Sequence, residues 1–258
     1  MSFPARPKKR LGQHFLKDPN TARIVARDIS VDDVVLEIGP GRGFLTTFLS
    51  ESAKLVHAVE LDRDVLPDLR RSIAGRGNVR IHEADALRFD YTTLEPAPNR
   101  LVANLPYNVA SPLVLMLLEE VSSIRTLRFM VQLEVARRMV AHRGSKDYAG
   151  YAALVQLLAD VRVAHKVSPM VFDPPPRVHS AVVEMNRKEK PKNYDGIKAV
   201  VLAAFRNRRK RLVNNLPEPA RREAPRVLTS LGHSPDARAE ELSPEDFVAL
   251  YRGISWAI

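Results

Sequence analysis

Cysteine is missing altogether from the 258 residues. Disulfides and thiolate-bound zinc are excluded, no metal is expected, and a reducing cytoplasm suits the chain. Long uncharged apolar runs are missing too, so no membrane-spanning helix is expected. The basic start, MSFPARPKKR, has no apolar stretch behind it and does not read as a secretory signal. There is no internal repeat and no low-complexity segment. Acidic residues are the scarcer charge, 30 against 40 Lys and Arg, which leaves a net charge of +10. Such an excess suits a polyanion. Nucleic acid fits better than a membrane surface, because no Lys/Arg-rich amphipathic helix with an aromatic face stands out. Apolar residues make up 45%, enough for a sizeable core, and the length suits one large α/β domain with a small appendage.

The order of periodicities points to that architecture. Residues 1–17 read as a basic, extended arm before a helix at 19–27. Aliphatic runs at 34–38, 55–61, 79–85, 100–107 and 127–133 read as strands. Helical segments at 64–73, 111–120, 134–141 and 151–159 alternate with them, which implies a parallel, doubly wound sheet. The strands at 161–167 and 178–185 have only PPP and a loop between them and should form an antiparallel hairpin. Beyond a polar break at 189–193 only helices are predicted, at 196–213, 219–231 and 244–252. This divides the chain into 1–188 and a helical domain at 189–258.

Three strand ends carry acids suited to one ligand. EIGPGRG (37–43) offers Gly39, Gly41 and Gly43 for close backbone approach, with Glu37 in the strand before them. Pro40 breaks the spacing of a pyrophosphate cradle. A carboxylate there suits an ammonium group, such as that in the methionine part of S-adenosyl-L-methionine. Glu60, still inside an apolar run, can accept ribose hydroxyls, while Asp62 can cap the next helix. Asp85 can accept from an adenine amino group. The fourth strand ends in NLPY (104–107). The adenine amine is a poor nucleophile because its lone pair is delocalised into the ring. The Asn104 side-chain oxygen and the Leu105 carbonyl can accept its N–H bonds and localise that pair. Pro106 stiffens the turn, and Tyr107 offers a ring on which an extruded base can stack.

With these motifs assembled, the chain resembles the KsgA family of small-subunit (16S) rRNA adenine N6,N6-dimethyltransferases nearly end to end. KRLGQHFL (9–16), EIGPGRG, VELD, EADAL and NLPY stand in family order, followed by FDPPPRVHSAVV (172–183) and FRNRRKRLVNNL (205–216). The resemblance implies a Rossmann-like class I methyltransferase with a small all-helical C-terminal domain. It implies His14, Leu16, Gly39, Gly41, Glu60, Asp85 and Asn104 as the S-adenosyl-L-methionine site, and Phe172 facing Tyr107 across the target base. It also implies dimethylation of two adjacent adenosines near the 3′ end of 16S rRNA by a monomer acting on a pre-assembled small subunit. Two basic clusters suit RNA phosphates: Arg6, Lys8, Lys9 and Arg10 in the arm, and Arg206, Arg208, Arg209, Lys210 and Arg211 in what reads as a C-terminal helix. The rival readings are a large-subunit rRNA methylase, a DNA adenine methyltransferase, and an RNA-binding assembly factor without catalysis.

Overall fold

The computed structural model describes residues 7–8 and 11–256. A two-residue strand, β1 (Phe15–Leu16), leads into helix α1 (Pro19–Val25). There follow β2 (Val34–Ile38), α2 (Phe44–Ser52), β3 (Leu55–Glu60), α3 (Leu66–Ser72), β4 (Val79–Glu83), β5 (Arg100–Asn104), α4 (Ala110–Glu120), β6 (Thr126–Gln132) and α5 (Leu133–Met139). Then come α6 (Gly150–Leu158), β7 (Ala159–Val167), β8 (Phe172–Asp173), β9 (Ser180–Arg187), α7 (Tyr194–Ala204), α8 (Ala220–Ser230) and α9 (Pro244–Gly253). Among the described residues, no helix is long and apolar enough to cross a membrane.

The aliphatic runs become the sheet centre for the reason their composition suggests. Every residue of β2 and β3 is buried, as parallel strands covered on both faces must be. The seven-stranded order is β4-β3-β2-β5-β6-β9-β7. Neighbours from β4 to β6 pair in parallel, and β9 pairs antiparallel with β6. The chain runs from β2 outward to one side and returns through β5 to the other. The crevice at that reversal, beyond the strand C-termini, is where an α/β sheet binds ligands.

Local chemistry sets the element ends. Asp18 caps α1 by accepting from the Thr21 amide at 2.7 Å. At the far end of α4 the Arg187 guanidinium donates to the carbonyls of Leu117, Leu118 and Val121 at 2.6–3.0 Å. These are among the carbonyls a helix end leaves unmatched.

Three sequence expectations need correction. The hairpin partners β7 and β9 do lie side by side, but β8 separates them in the chain, and β8 pairs with β1 in a sheet of its own. The helix expected over 196–213 stops at Ala204. Short 3-10 turns follow at Phe205–Asn207 and Leu212–Asn215. Crowded like charges oppose a helix there, and Arg208 and Arg211 instead reach Glu240 and Asp236 at 2.6 and 2.8 Å. Finally, the packing does not divide at residue 188 alone. One unit holds the described residues up to Ala136 together with Arg162–Arg187, and a second holds Arg137–Val161 together with Lys188 onward. α6 joins the second unit because it is apolar almost all round and packs on α7 and α9.

Candidate active site

The C-terminal ends of β2, β3, β4 and β5 open into one cavity, roofed by residues 11–16 of the arm. Leu16, Gly39, Gly41, Glu60, Asp85, Asn104, Leu105, Pro106 and Tyr107 all line it, as do His14 and Glu37. Gly39 and Gly41 have φ of +67° and +57°, and a Cβ on Gly41 would lie 2.9 Å from the Phe15 ring. Close approach of the arm and the positive φ together already forbid a side chain at Gly41.

Glu60 is 6% exposed. Its two oxygens accept from the amides of Gly41 (2.9 Å) and Asp62 (2.8 Å). Burial pushes its carboxyl up, while those backbone bonds oppose the shift. Four lone-pair positions less two leave room for further donors. Glu37 is deeper, at 1% exposed. Burial pushes its carboxyl up to about 8, the nearby Glu60 adding to the push. The Thr46 hydroxyl beside it opposes the shift. Yet neither Thr46 Oγ1 nor Glu37 Oε2 makes a hydrogen bond of normal geometry among the described residues. A buried acid with an unmatched oxygen facing the cavity wall fits a cationic ligand group. Asp85 is half-buried beyond β4 and accepts from the Leu87 amide at 3.0 Å. Leu61 and Leu87 flank that end as exposed apolar side chains.

The arm is pinned at several points. Asp62 accepts from Lys8 Nζ (2.5 Å) and Gln13 Nε2 (2.7 Å), and these bonds hold its own carboxyl below the usual range against the effect of burial. Arg42 lies over the Phe15 ring, 4.3 Å from its centre. His14 Nδ1 meets the Pro174 carbonyl at 2.7 Å, and the imidazole stacks on Tyr107 with centroids 5.5 Å apart. The Tyr107 hydroxyl shares a 2.6 Å hydrogen bond with buried Ser180. Asn104 Nδ2 donates to the His14 carbonyl at 3.1 Å. That bond decides which way the amide faces. Its oxygen, Oδ1, is buried and has no hydrogen-bond partner among the described residues.

The family model described as ribosomal RNA adenine dimethylase matches residues 5–255. The chain belongs to that family. A Rubrobacter xylanophilus protein named ribosomal RNA small subunit methyltransferase A is 72% identical over 97% of this chain and 96% of its own length. The Methylococcus capsulatus protein of the same name is 39% identical over 96% and 98%. Among solved structures, a dimethyladenosine transferase from Plasmodium falciparum superposes with a TM-score of 0.80 at 27% identity, covering 92% of this chain and 96% of that one. The 23S rRNA methyltransferase ErmE superposes at 0.72 and 27% identity, covering 93% and 99%. The chain thus has the Rossmann-like fold of rRNA methyltransferases with a helical C-terminal region.

Set on this dimethylase fold, two expectations about individual residues change. Phe172 does not line the cavity or face Tyr107. It is 0% exposed, opposite Leu16 in the β1/β8 pair, and packs among Val25, Val35 and Val182. The ring against Tyr107 is that of His14. Lys8 is committed to Asp62 and Asp64, so it fastens the arm rather than presenting a bare charge. Arg6, Lys9 and Arg10 lie outside the described residues. Arg206, Arg208, Arg209, Lys210 and Arg211 are exposed in the second unit, where Arg208 and Arg211 carry ion pairs. Three positioning contacts escaped the sequence reading: Gln13 with Asp62, Ser180 with Tyr107, and the His14 carbonyl with Asn104. Each carried a signal only as part of a quoted block, Gln13 and His14 in KRLGQHFL and Ser180 in HSAVV; the contacts themselves had none.

Proposed function

We propose that this family member uses S-adenosyl-L-methionine to dimethylate the N6 amines of two adjacent adenosines near the 3′ end of 16S rRNA in the small ribosomal subunit. The observation that carries the reading is Asn104 Oδ1, a buried acceptor without a donor among the described residues, held in that orientation by the arm. A polar atom left so in the interior calls for a partner, and an aromatic amine has two N–H bonds to give. Accepting one at Oδ1 and one at the Leu105 carbonyl turns the nitrogen lone pair out of conjugation and toward the methyl donor. When bound, S-adenosyl-L-methionine supplies an electrophilic sulfonium methyl. Glu37 suits an ammonium, Glu60 the ribose hydroxyls, and Asp85, between Leu61 and Leu87, an adenine ring. Tyr107, anchored through Ser180, offers its face to the target base once His14 yields it. No residue of the chain forms a covalent bond in this scheme, so rate comes from positioning.

The exposed cations from Arg206 to Arg211, with Arg6, Lys9 and Arg10 of the arm, support an RNA substrate; a monomer in the cytoplasm suits the reading. The names of the most similar relatives favour the small subunit over the large. The test is methylation in vitro of small-subunit particles, naked 16S rRNA, large-subunit rRNA and DNA, followed by mass spectrometry of the adenosines. N6,N6-dimethyladenosine confined to the small-subunit samples is expected. Product on large-subunit rRNA alone would overturn the assignment, and RNA binding without any methyl transfer would favour a purely assembling role.

A further inference from the structure

Asp62 has more partners than the cap of a short turn needs. It stands two residues past Glu60, the last residue of β3, and is 4% exposed. Its Oδ1 accepts from the Asp64 amide at 3.1 Å and so caps the turn Arg63–Val65. The same oxygen takes Lys8 Nζ, and Oδ2 takes Gln13 Nε2 at 2.7 Å. Both of these donors come from the arm. On its other side, the Asp62 amide donates to Glu60 Oε1 at 2.8 Å. Asp62 therefore touches both the arm and the acid suited to the ribose.

The bond to Gln13 leads on to the reacting position. Gln13 is held at both ends, Oε1 accepting from the Lys8 amide at 2.8 Å while Nε2 donates to Asp62. Its amide is not free to turn over, because a flip would set Nε2 against the Lys8 N–H and Oε1 against a carboxylate. The next residue is His14, whose carbonyl accepts from Asn104 Nδ2 at 3.1 Å. Downstream, that carbonyl is steadied by the short β1/β8 pair and by the bond from the His14 ring to Pro174. Upstream, it is steadied by Gln13 at Asp62. The arm's bonds keep the Asp62 carboxyl below its usual range, and hydrogen bonds to an ionised acceptor are roughly twice as strong as neutral ones.

We propose that Asp62 is a positioning residue for methyl transfer, acting through Gln13 and the His14 carbonyl to keep Asn104 Oδ1 facing the target amine. Through its own amide it joins that acceptor to the cofactor acid Glu60. The proposal rests on the reading of Asn104 given above.

The test swaps donor and acceptor in the full chain. Asp62→Asn puts N–H groups against Gln13, or against Lys8 and the Asp64 amide. Gln13→Glu sets two carboxylates face to face. The double variant restores a bond with its direction reversed. Asp62→Ser keeps a turn cap but is too short to hold the arm. Single-turnover methylation of small-subunit particles is read at saturating S-adenosyl-L-methionine and RNA, with thermal melting beside it. Each single variant should slow transfer on the order of tenfold, as small misplacements far from the chemistry do. The double variant should return to within about threefold of the native rate, a coupling that independent losses do not give. By NMR without substrate, the Asn104 side-chain NH2 signals should broaden in the single variants and sharpen again in the double. Native rates in the single variants would overturn the proposal, as would a double variant as slow as the two losses multiplied. A native rate for Asp62→Ser alone would reduce Asp62 to a turn cap and overturn it as well. If the Asp62 variants fail to fold, Gln13→Ala decides, a native rate and unchanged Asn104 signals breaking the link. If the native chain transfers no methyl group, the underlying reading fails, and the NMR comparison still decides the link to Asp62.

Discussion

At the scale of single residues, two buried polar groups carry the proposed chemistry. In the proposed reaction Asn104 is an acceptor, and its orientation is fixed from outside its own turn by the His14 carbonyl. Asn104→Ala should lower kcat on the order of 10²-fold, as loss of one preorganised hydrogen-bonding group does elsewhere, with RNA affinity unchanged. Single-turnover methylation and filter binding separate the two, and near-native turnover would contradict this account of the amine. Glu37 makes a pH-dependent statement. Its ordinary value of 4.5 rises to about 8 in the fold. Between those values the folded state keeps a proton that the unfolded chain has released. The stabilisation is therefore full below pH 4.5 and lost as pH rises through about 8. Glu37→Gln should flatten that part of the stability profile, read as the denaturant midpoint against pH. A profile as steep as the native one would place the titration elsewhere.

At the scale of elements, the sequence was most legible where one element carries its own reason. Aliphatic runs such as 34–38 and 55–60 can only be buried parallel strands, and their terminal acids converge because parallel strands end on one edge. The NLPY turn was legible because Pro106 and Asn104 announce a strand end with chemistry attached. Pairing between distant, very short segments was not legible. β1 and β8 hold two residues each and have no periodicity, so nothing local shows that Leu16 faces Phe172. That pairing moves Phe172 from the expected base-stacking place into the core. Phe172→Ala should therefore cost about 3–5 kcal/mol of stability, the range for emptying a buried aromatic site. Chemical denaturation checks it. A loss of activity with unchanged stability would return Phe172 to the base. The basic run at 205–211 misled for a related reason: its ion partners, Glu240 and Asp236, lie some 30 residues further on, and they break the helix that local composition suggests.

For the whole molecule, the path of the chain matters more than its order of motifs. A cut at residue 188 looks natural in the sequence, since a polar break follows. In the fold that cut would strip α7 and α9 from α6, whose Leu154, Val155, Leu157 and Leu158 are buried. A fragment 1–188 should consequently bind a hydrophobic dye and aggregate, whereas the intact chain should do neither; a well-behaved fragment in size-exclusion chromatography would contradict this. The arm has a subtler bearing on the whole. Carboxamide nitrogen and oxygen have nearly the same shape, so nothing in the steric walls around residue 104 tells one from the other. The distinction is written by a carbonyl ninety positions upstream. A chain that began after residue 16 would lose the roof of its crevice, and its amide at residue 104 would be free to turn about and offer a donor where the proposed reaction calls for an acceptor.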